Sequence, residues 1–179
     1  MLKRLLVTGA AGGVANLLRP RLVGVSKKFR LTDIRHFVSA SDLDEIMIGD
    51  LADSAFVDQL VQGCDGILHL GGVSTERPFD EIMPANIVGV YNVYRAAAKY
   101  DRPRVIFASS NHVVGAYSTQ EIITPNEPFL PDSFYGASKV FGEAVAKLFF
   151  VKEGIESAVV RIGSCFDQPT DLRMMSTWF

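Results

Sequence analysis

The sequence predicts an α/β domain: a doubly wound parallel sheet with helices on both faces, occupying residues 1–179 as one unit. Three observations predict it. Short aliphatic or β-branched runs recur at intervals long enough to hold a helix. The first run opens into a glycine-rich turn, and an aspartate closes the second run about twenty residues further on.

The runs are "RLLVTG" (4–9), "FRLTDI" (29–34), "EIMIGD" (45–50), "GILHLG" (66–71), "RVIFASS" (104–110) and "SAVVRIGS" (157–164), which read as six strands. Four of them are near-continuously apolar, the pattern of strands covered on both faces. Between them, 86–100 predicts a helix with Ile87, Val90, Tyr91, Tyr94, Ala97 and Ala98 on one apolar stripe. A second helix is predicted over 134–152, with Val140, Phe141, Ala144, Val145, Leu148 and Phe149 on its buried side. Two connections are longer than a crossover needs: 72–85, and 111–133 with Pro125, Pro128 and Pro131. Both leave the carboxyl ends of strands, where open α/β sheets bind ligands and where long loops are usually functional. The chain closes on "CFDQPTDLRMMSTWF" with no helix to cover the last strand, and Trp178 and Phe179 are poor solvent-facing ends. The expectation is a fragment, or the ordered part, of a longer protein.

Composition narrows the class. With 179 residues, 48% of them hydrophobic, the chain is sized for one real core. No apolar run approaches the ~18–20 residues that cross a bilayer, and the amino-terminal "MLKRLLVTGAAGG" lacks the apolar stretch of a signal peptide. Cys64 and Cys165 lie far apart without metal-ligand spacing, so two free thiols in the cytoplasm, and no metal, are expected. Basic residues are scattered and the formal net charge is −2, which argues against nucleic acid as a partner.

The turn "TGAAGGVANLLRPRL" carries Gly9, Gly12 and Gly13, with Val14 opening the helix. Glycines let the backbone approach a pyrophosphate, whose charge is met by free N–H groups and the positive helix end. Ala15 stands at the third small position, where helix and strand pack closely. Asp33, closing the second strand, is placed to accept hydrogen bonds from ribose hydroxyls and to repel a 2′-phosphate, which favours NAD over NADP. Arg35, two residues on, is either a 2′-phosphate partner or an exposed, adenine-stacking side chain. Asp50 and Leu51 either flank adenine or serve as a helix cap and a core residue. Together these features specify a Rossmann-type fold.

In "SFYGASKVFGE" (133–143), Tyr135 and Lys139 are four residues apart at a helix mouth, and so on one face. A fixed ammonium beside a phenol lowers its pKa toward neutrality, as a general acid or base requires.

The set of TGxxGxxA, Asp33, "DL" at 50–51, "HLGG" at 69–72, "NIVGVYN" at 86–92, "SSNHVVG" at 109–115 and YxxxK at 135–139 resembles the extended short-chain dehydrogenases/reductases. Within them, "HLGGVS", "FASSNHVVG" and "YGASKVFGE" are similar to the uronate dehydrogenases; Gly71, Gly72, Asn111 and His112 depart from the sugar-nucleotide epimerases. The resemblance implies NAD-dependent oxidation of the C1 hydroxyl of a hexuronate such as galacturonate or glucuronate. It makes Tyr135 the base, Lys139 its electrostatic partner and ribose anchor, and Ser110 the substrate-orienting hydroxyl. It places Leu70, Gly71 and Cys165 along the cofactor, Cys165 beside the nicotinamide, and Ser74, Ser110, Asn111, His112, Ser164 and Arg173 around the sugar acid. Arg173 is the candidate partner for the substrate carboxylate, with Arg77 a rival. His112 otherwise caps a strand end, His69 is structural and His36 lies at the surface. Asn86 either caps its helix or braces Lys139 through water. A homo-oligomer is implied as well. Two other functions share these motifs: a nucleotide-sugar epimerase or dehydratase that retains its NAD, and a dinucleotide-binding sensor without catalysis.

Overall fold

The computed structural model describes residues 1–39 and 41–165. Six strands form one all-parallel sheet in the order β3-β2-β1-β4-β5-β6. They are β1 (Leu2–Thr8), β2 (Ser26–Asp33), β3 (Glu45–Ile48), β4 (Gly66–His69), β5 (Arg104–Ser110) and β6 (Ser157–Ile162). The chain reverses its winding between β1 and β4, so a crevice opens at their carboxyl ends. The register sets what lines it: Thr8 lies level with Thr32 on one side and His69 on the other.

One face of the sheet is packed by α2 (Ser54–Val61), α4 (Val90–Lys99) and α5 (Phe134–Glu153). Leu6, Ile67, Val105 and Phe107 from the strands meet Val57, Leu60, Val93, Tyr94 and Val145 from the helices. The other face carries a smaller cluster, Leu5, Val7, Leu31 and Leu68, under Leu18 of α1 (Gly13–Leu18) and Leu22. Over β5 and β6 no described helix covers that second face, and Ile106 and Val160 stand 42% and 47% exposed there. Among the described residues, no helix is long and apolar enough to cross a membrane.

Local chemistry explains the ends of the elements. Asp53 caps α2 by accepting from the backbone N–H groups of Ala55 and Phe56. At its other end the Arg30 guanidinium, buried beneath the sheet edge, donates to the carbonyls of Gln59, Leu60 and Gln62, which have no partners within the helix. Helix α5 starts on Ser133, whose hydroxyl accepts from Gly136 N–H, and stops at Gly154 with φ +72°.

Two expectations are corrected. Helix begins at Phe79 rather than Asn86: α3 (Phe79–Met83) runs through a π-helical turn, Pro84–Gly89, into α4. Pro84 reads as a stop because it lacks an N–H, but the wider turn accommodates it. The buried sides of the helices also differ from the predicted stripes. Tyr91, Ala144 and Leu148 face outward, while Val93, Ala96, Gly142 and Ala146 are buried. Gly142 is required because the ring of Phe107 fills the space a Cβ would take.

Candidate active site

A cleft of about 820 Å³ runs along the carboxyl ends of the strands. At one end lies the glycine turn. Gly9 has φ +66°, and a Cβ there would come within 2.8 Å of the Gly71 backbone. A Cβ on Gly12 would lie 3.1 Å from the Gly9 carbonyl, whereas Gly13 has open space around it. The turn therefore nests against the β4 loop, and only a bare backbone permits that approach. Thr8 completes the junction: its hydroxyl accepts from Gly71 N–H at 2.9 Å and shares a hydrogen bond of 2.7 Å with His69 Nδ1. His69 is fully buried and stacked on Phe107, and burial, helped by the nearby Lys139 charge, holds its pKa down at about 3. It is a neutral structural residue.

Asp33 points back at the turn. Its carboxylate accepts from Ala11 N–H and Arg35 N–H, both at 3.0 Å, and its side chain is largely buried. Arg35 folds over it, with Nε 3.5 Å from Asp33 Oδ1 and a terminal nitrogen donating to the Ala11 carbonyl at 3.0 Å. The guanidinium is thus tied down beside the carboxylate. Asp50 accepts from Ala52 N–H in a local turn, and Leu51 is buried under Gly89 and Gly71.

The other end of the cleft is built by β5, α5 and the loops between them. Tyr135 and Lys139 sit in the first turns of α5, both nearly buried. Lys139 donates through Nζ to the Ala108 carbonyl at 2.9 Å, and burial pushes its pKa down to about 8. Its ammonium lies 5.6 Å from the centre of the Tyr135 ring. The expected lowering of the phenol pKa does not occur in the protein alone: burial pushes it up, and the hydrogen bond with Ser110 offsets this only in part. The ammonium is instead directed at a carbonyl.

Ser110 is buried at the end of β5, where its hydroxyl accepts from His112 N–H and caps the 3-10 turn Asn111–Val114. His112 packs edge-on against Tyr135, with centroids 5.5 Å apart, and its Nδ1 pairs with Asp132 at 2.8 Å. Burial pushes the Asp132 carboxyl up, but hydrogen bonds from Ser133 and His112 outweigh it and hold the carboxyl below its usual range. The capping expected at a strand end therefore falls to Ser110, and the imidazole is left at the site mouth.

Asn86 does not cap a helix. Buried in the π-helical turn, it accepts from Val73 N–H at 2.7 Å and donates to the Val73 carbonyl and to Ser138 Oγ. Ser138 in turn donates to the Tyr135 carbonyl at 2.6 Å. On α5, Glu143 joins β5 to β6, accepting from Ser109 Oγ at 2.6 Å and from Nε and a terminal nitrogen on one edge of the Arg161 guanidinium at 2.9 and 3.0 Å.

Every candidate cofactor residue lines the cleft: Gly9, Gly12, Gly13, Val14, Asp33, Asp50, Leu51, Leu70, Gly71, Lys139 and Cys165. Of the sugar-acid candidates, Ser74 lines it, as does the rival Arg77. Ser110, Asn111 and His112 are outside that lining, in the turn after β5, where Ser110 hydrogen-bonds the Tyr135 side chain and His112 packs on its ring, and Ser164 follows β6, exposed. Arg173 lies outside the described residues. Sequence reasoning missed Thr8, Glu76, Asp132 and Ser138. Thr8 lay inside a recognised motif; the others act across long separations that leave no local pattern.

A glycine cradle at the switch point, an acidic end to β2 and, at the far end of one cleft, Tyr135 and Lys139 with Ser110 bonded to the tyrosine define the extended short-chain dehydrogenase/reductase class. The chain belongs to the NAD dependent epimerase/dehydratase family, whose sequence model matches residues 5–169. It is similar to the uronate dehydrogenases of Agrobacterium fabrum, at 49% identity over 99% of this chain, and Pseudomonas syringae pv. tomato, at 52% over 98%. The chain spans 67% and 64% of those two proteins, about two thirds of their length. Among solved structures it resembles a glucuronic acid dehydrogenase from Chromohalobacter salexigens, with a TM-score of 0.95 and 52% identity over 99% of this chain and 67% of that one. A uronate dehydrogenase mutant from Agrobacterium tumefaciens, solved in complex with NAD, superposes with a TM-score of 0.93 at 48% identity, covering 99% of this chain and 67% of that one.

Proposed function

We propose that the chain carries the cofactor-binding and catalytic part of a uronate dehydrogenase, which oxidises the C1 hydroxyl of a cyclic hexuronate to the aldarolactone with NAD as acceptor. The observation that carries this reading is the continuity of the cleft from the Gly9 cradle to Tyr135 and Lys139. Its volume, its bare backbone at Gly9 and Gly12 and the carboxylate at Asp33 fit a dinucleotide. NAD, when bound, supplies the hydride acceptor.

The residues of the chain do the rest. Gly12, Gly13 and Val14 hold the pyrophosphate with backbone N–H groups, Asp33 takes the ribose hydroxyls, and Lys139 anchors the second ribose. Ser110 holds the reacting oxygen, and Tyr135 accepts its proton. Burial alone raises the phenol pKa, so this base depends on positive charge close to its ring; the Lys139 ammonium at 5.6 Å is one such charge. Ser74, Asn111, His112, Ser164 and Arg173 are assigned to the sugar acid, Arg173 gripping the carboxylate through paired N–H bonds. Exposed Phe79 and Phe134, in contact at the starts of α3 and α5, with Tyr91 and Leu148 exposed farther along α4 and α5, favour a homo-oligomer through these helices. Two free cysteines suit the cytoplasm.

The test is NADH formation with galacturonate, glucuronate, neutral hexoses and UDP-sugars, measured for this chain and for a full-length protein that contains it. NADH is expected with the free uronates only. NAD bound but inert toward every uronate in both forms would sink the dehydrogenase reading and leave the epimerase and sensor readings ahead.

A further inference from the structure

The loop between β4 and α3 carries Ser74 toward the cleft and is tied down at both ends. At its start, Val73 is held by Asn86 through both its N–H and its carbonyl. Near its other end, the Glu76 carboxylate lies across the first turn of α5, accepting from Phe134 N–H at 3.2 Å and Tyr135 N–H at 2.8 Å. A helix leaves its first four N–H groups without internal partners. In α5 the Ser133 hydroxyl accepts from Gly136 N–H, the i→i−4 ladder begins at Ala137 N–H on the Ser133 carbonyl, and Glu76 takes the N–H groups of Phe134 and Tyr135. A carboxylate is well suited to the positive end of a helix twenty residues long. It reaches there from 59 residues away and grips the backbone of the residue whose phenol faces Ser110.

We infer that Glu76 is a positioning residue: it locks the sugar-binding loop to the first turn of the catalytic helix, so that Ser74 and Tyr135 hold a fixed relation. This rests on the proposed dehydrogenase reading. The carboxylate acts through backbone N–H groups and takes no proton from substrate. An error of a fraction of an ångström between a bound hydroxyl and its base is costly in rate, whereas the hydrogen bonds of the Glu76 carboxylate go to the α5 backbone and not to the Gly9 cradle.

The test compares the full-length parent, Glu76→Ala and Glu76→Gln by amide hydrogen exchange, NAD titration and steady-state kinetics with galacturonate. In Glu76→Ala, exchange should rise roughly tenfold in the segments 72–78 and 133–137 alone. Turnover should fall roughly ten- to a hundredfold, with NAD affinity within about twofold of the parent. Glu76→Gln keeps one acceptor oxygen for Tyr135 N–H and should recover most of both losses. Parental exchange in both segments overturns the inference. So does a local rise with parental turnover, which would make Glu76 a helix cap only, and so does a loss of protection spread over the whole chain without rescue by glutamine. A parent that binds NAD but oxidises no uronate defeats the dehydrogenase reading instead, and the exchange data then decide the clamp alone.

Discussion

At the nucleotide end of the cleft, the contacts that shape the site are local or join neighbouring strands: Arg35 to Asp33 over two residues, Ala52 to Asp50 over two, Ala11 to Asp33 over twenty-two. At the catalytic end, Tyr135 is held from Glu76 across fifty-nine residues, Ser138 from Asn86 across fifty-two and Lys139 from Ala108 across thirty-one. The first end is a backbone cradle whose demands fall on glycines and one carboxylate. The second is a set of side chains brought together by the sheet order and by two long loops. Damage at the first end should appear in cofactor binding, and damage at the second in turnover.

The sharpest break between the two ends is Tyr135→Phe. Removing the hydroxyl should cut turnover by about 10³-fold, in the range of general-base losses, while calorimetric NAD affinity stays close to the parent's. Retention of more than about a tenth of the parental rate would mean that the base has been misassigned.

Gly9→Ala attacks the opposite end. Its Cβ would press on the Gly71 backbone at 2.8 Å in a left-handed conformation. A loss of about 2–3 kcal/mol in unfolding free energy and a large drop in NAD affinity are expected. Parental values in a urea titration and an NAD titration would show that the turn can relax.

His69 joins the two halves through Thr8 and provides a pH test. Its folded pKa, about 3, lies below the unfolded value near 6.5, so the unfolded chain binds the extra proton between those values. Stability is therefore full above about pH 6.5 and falls as pH drops toward 3. From pH 6.5 down to 4 the parent should lose about 1 kcal/mol per pH unit more than His69→Asn, read by denaturant unfolding. Parallel slopes would show that His69 is protonated in the folded state.

The smallest effect is expected from Asp33→Ala. Removing the carboxylate frees the Arg35 guanidinium now held 3.5 Å away and should move the NAD to NADP affinity ratio by about tenfold toward NADP. An unchanged ratio of dissociation constants would dismiss Asp33 as the discriminator.

The same contrast explains what could be read in advance. Asp33 at the end of β2 and the glycines after β1 announce themselves because a turn with φ +66° and a strand-end carboxylate are written in adjacent residues. Tyr135 and Lys139 are legible for the same reason, one helical turn apart. The helix starting at Phe79 was missed because Pro84 carries a local stop signal that a π-helical turn absorbs. The outward placement of Tyr91 and Leu148 was missed because periodicity identifies an apolar side but not the neighbour that covers it.

By itself, then, the sequence determined the alternation of strands and helices, the cradle, the acidic strand end and the Tyr-Lys pair, since each depends on backbone geometry and side chains a few residues apart. Only the tertiary structure decided that Glu76 caps α5, that Asn86 ties a loop to Ser138, and that burial raises the Tyr135 pKa while Lys139 turns to Ala108. Those outcomes depend on which distant groups the sheet order brings within hydrogen-bonding distance and on how much water that packing excludes, and neither quantity is encoded in any short stretch of chain.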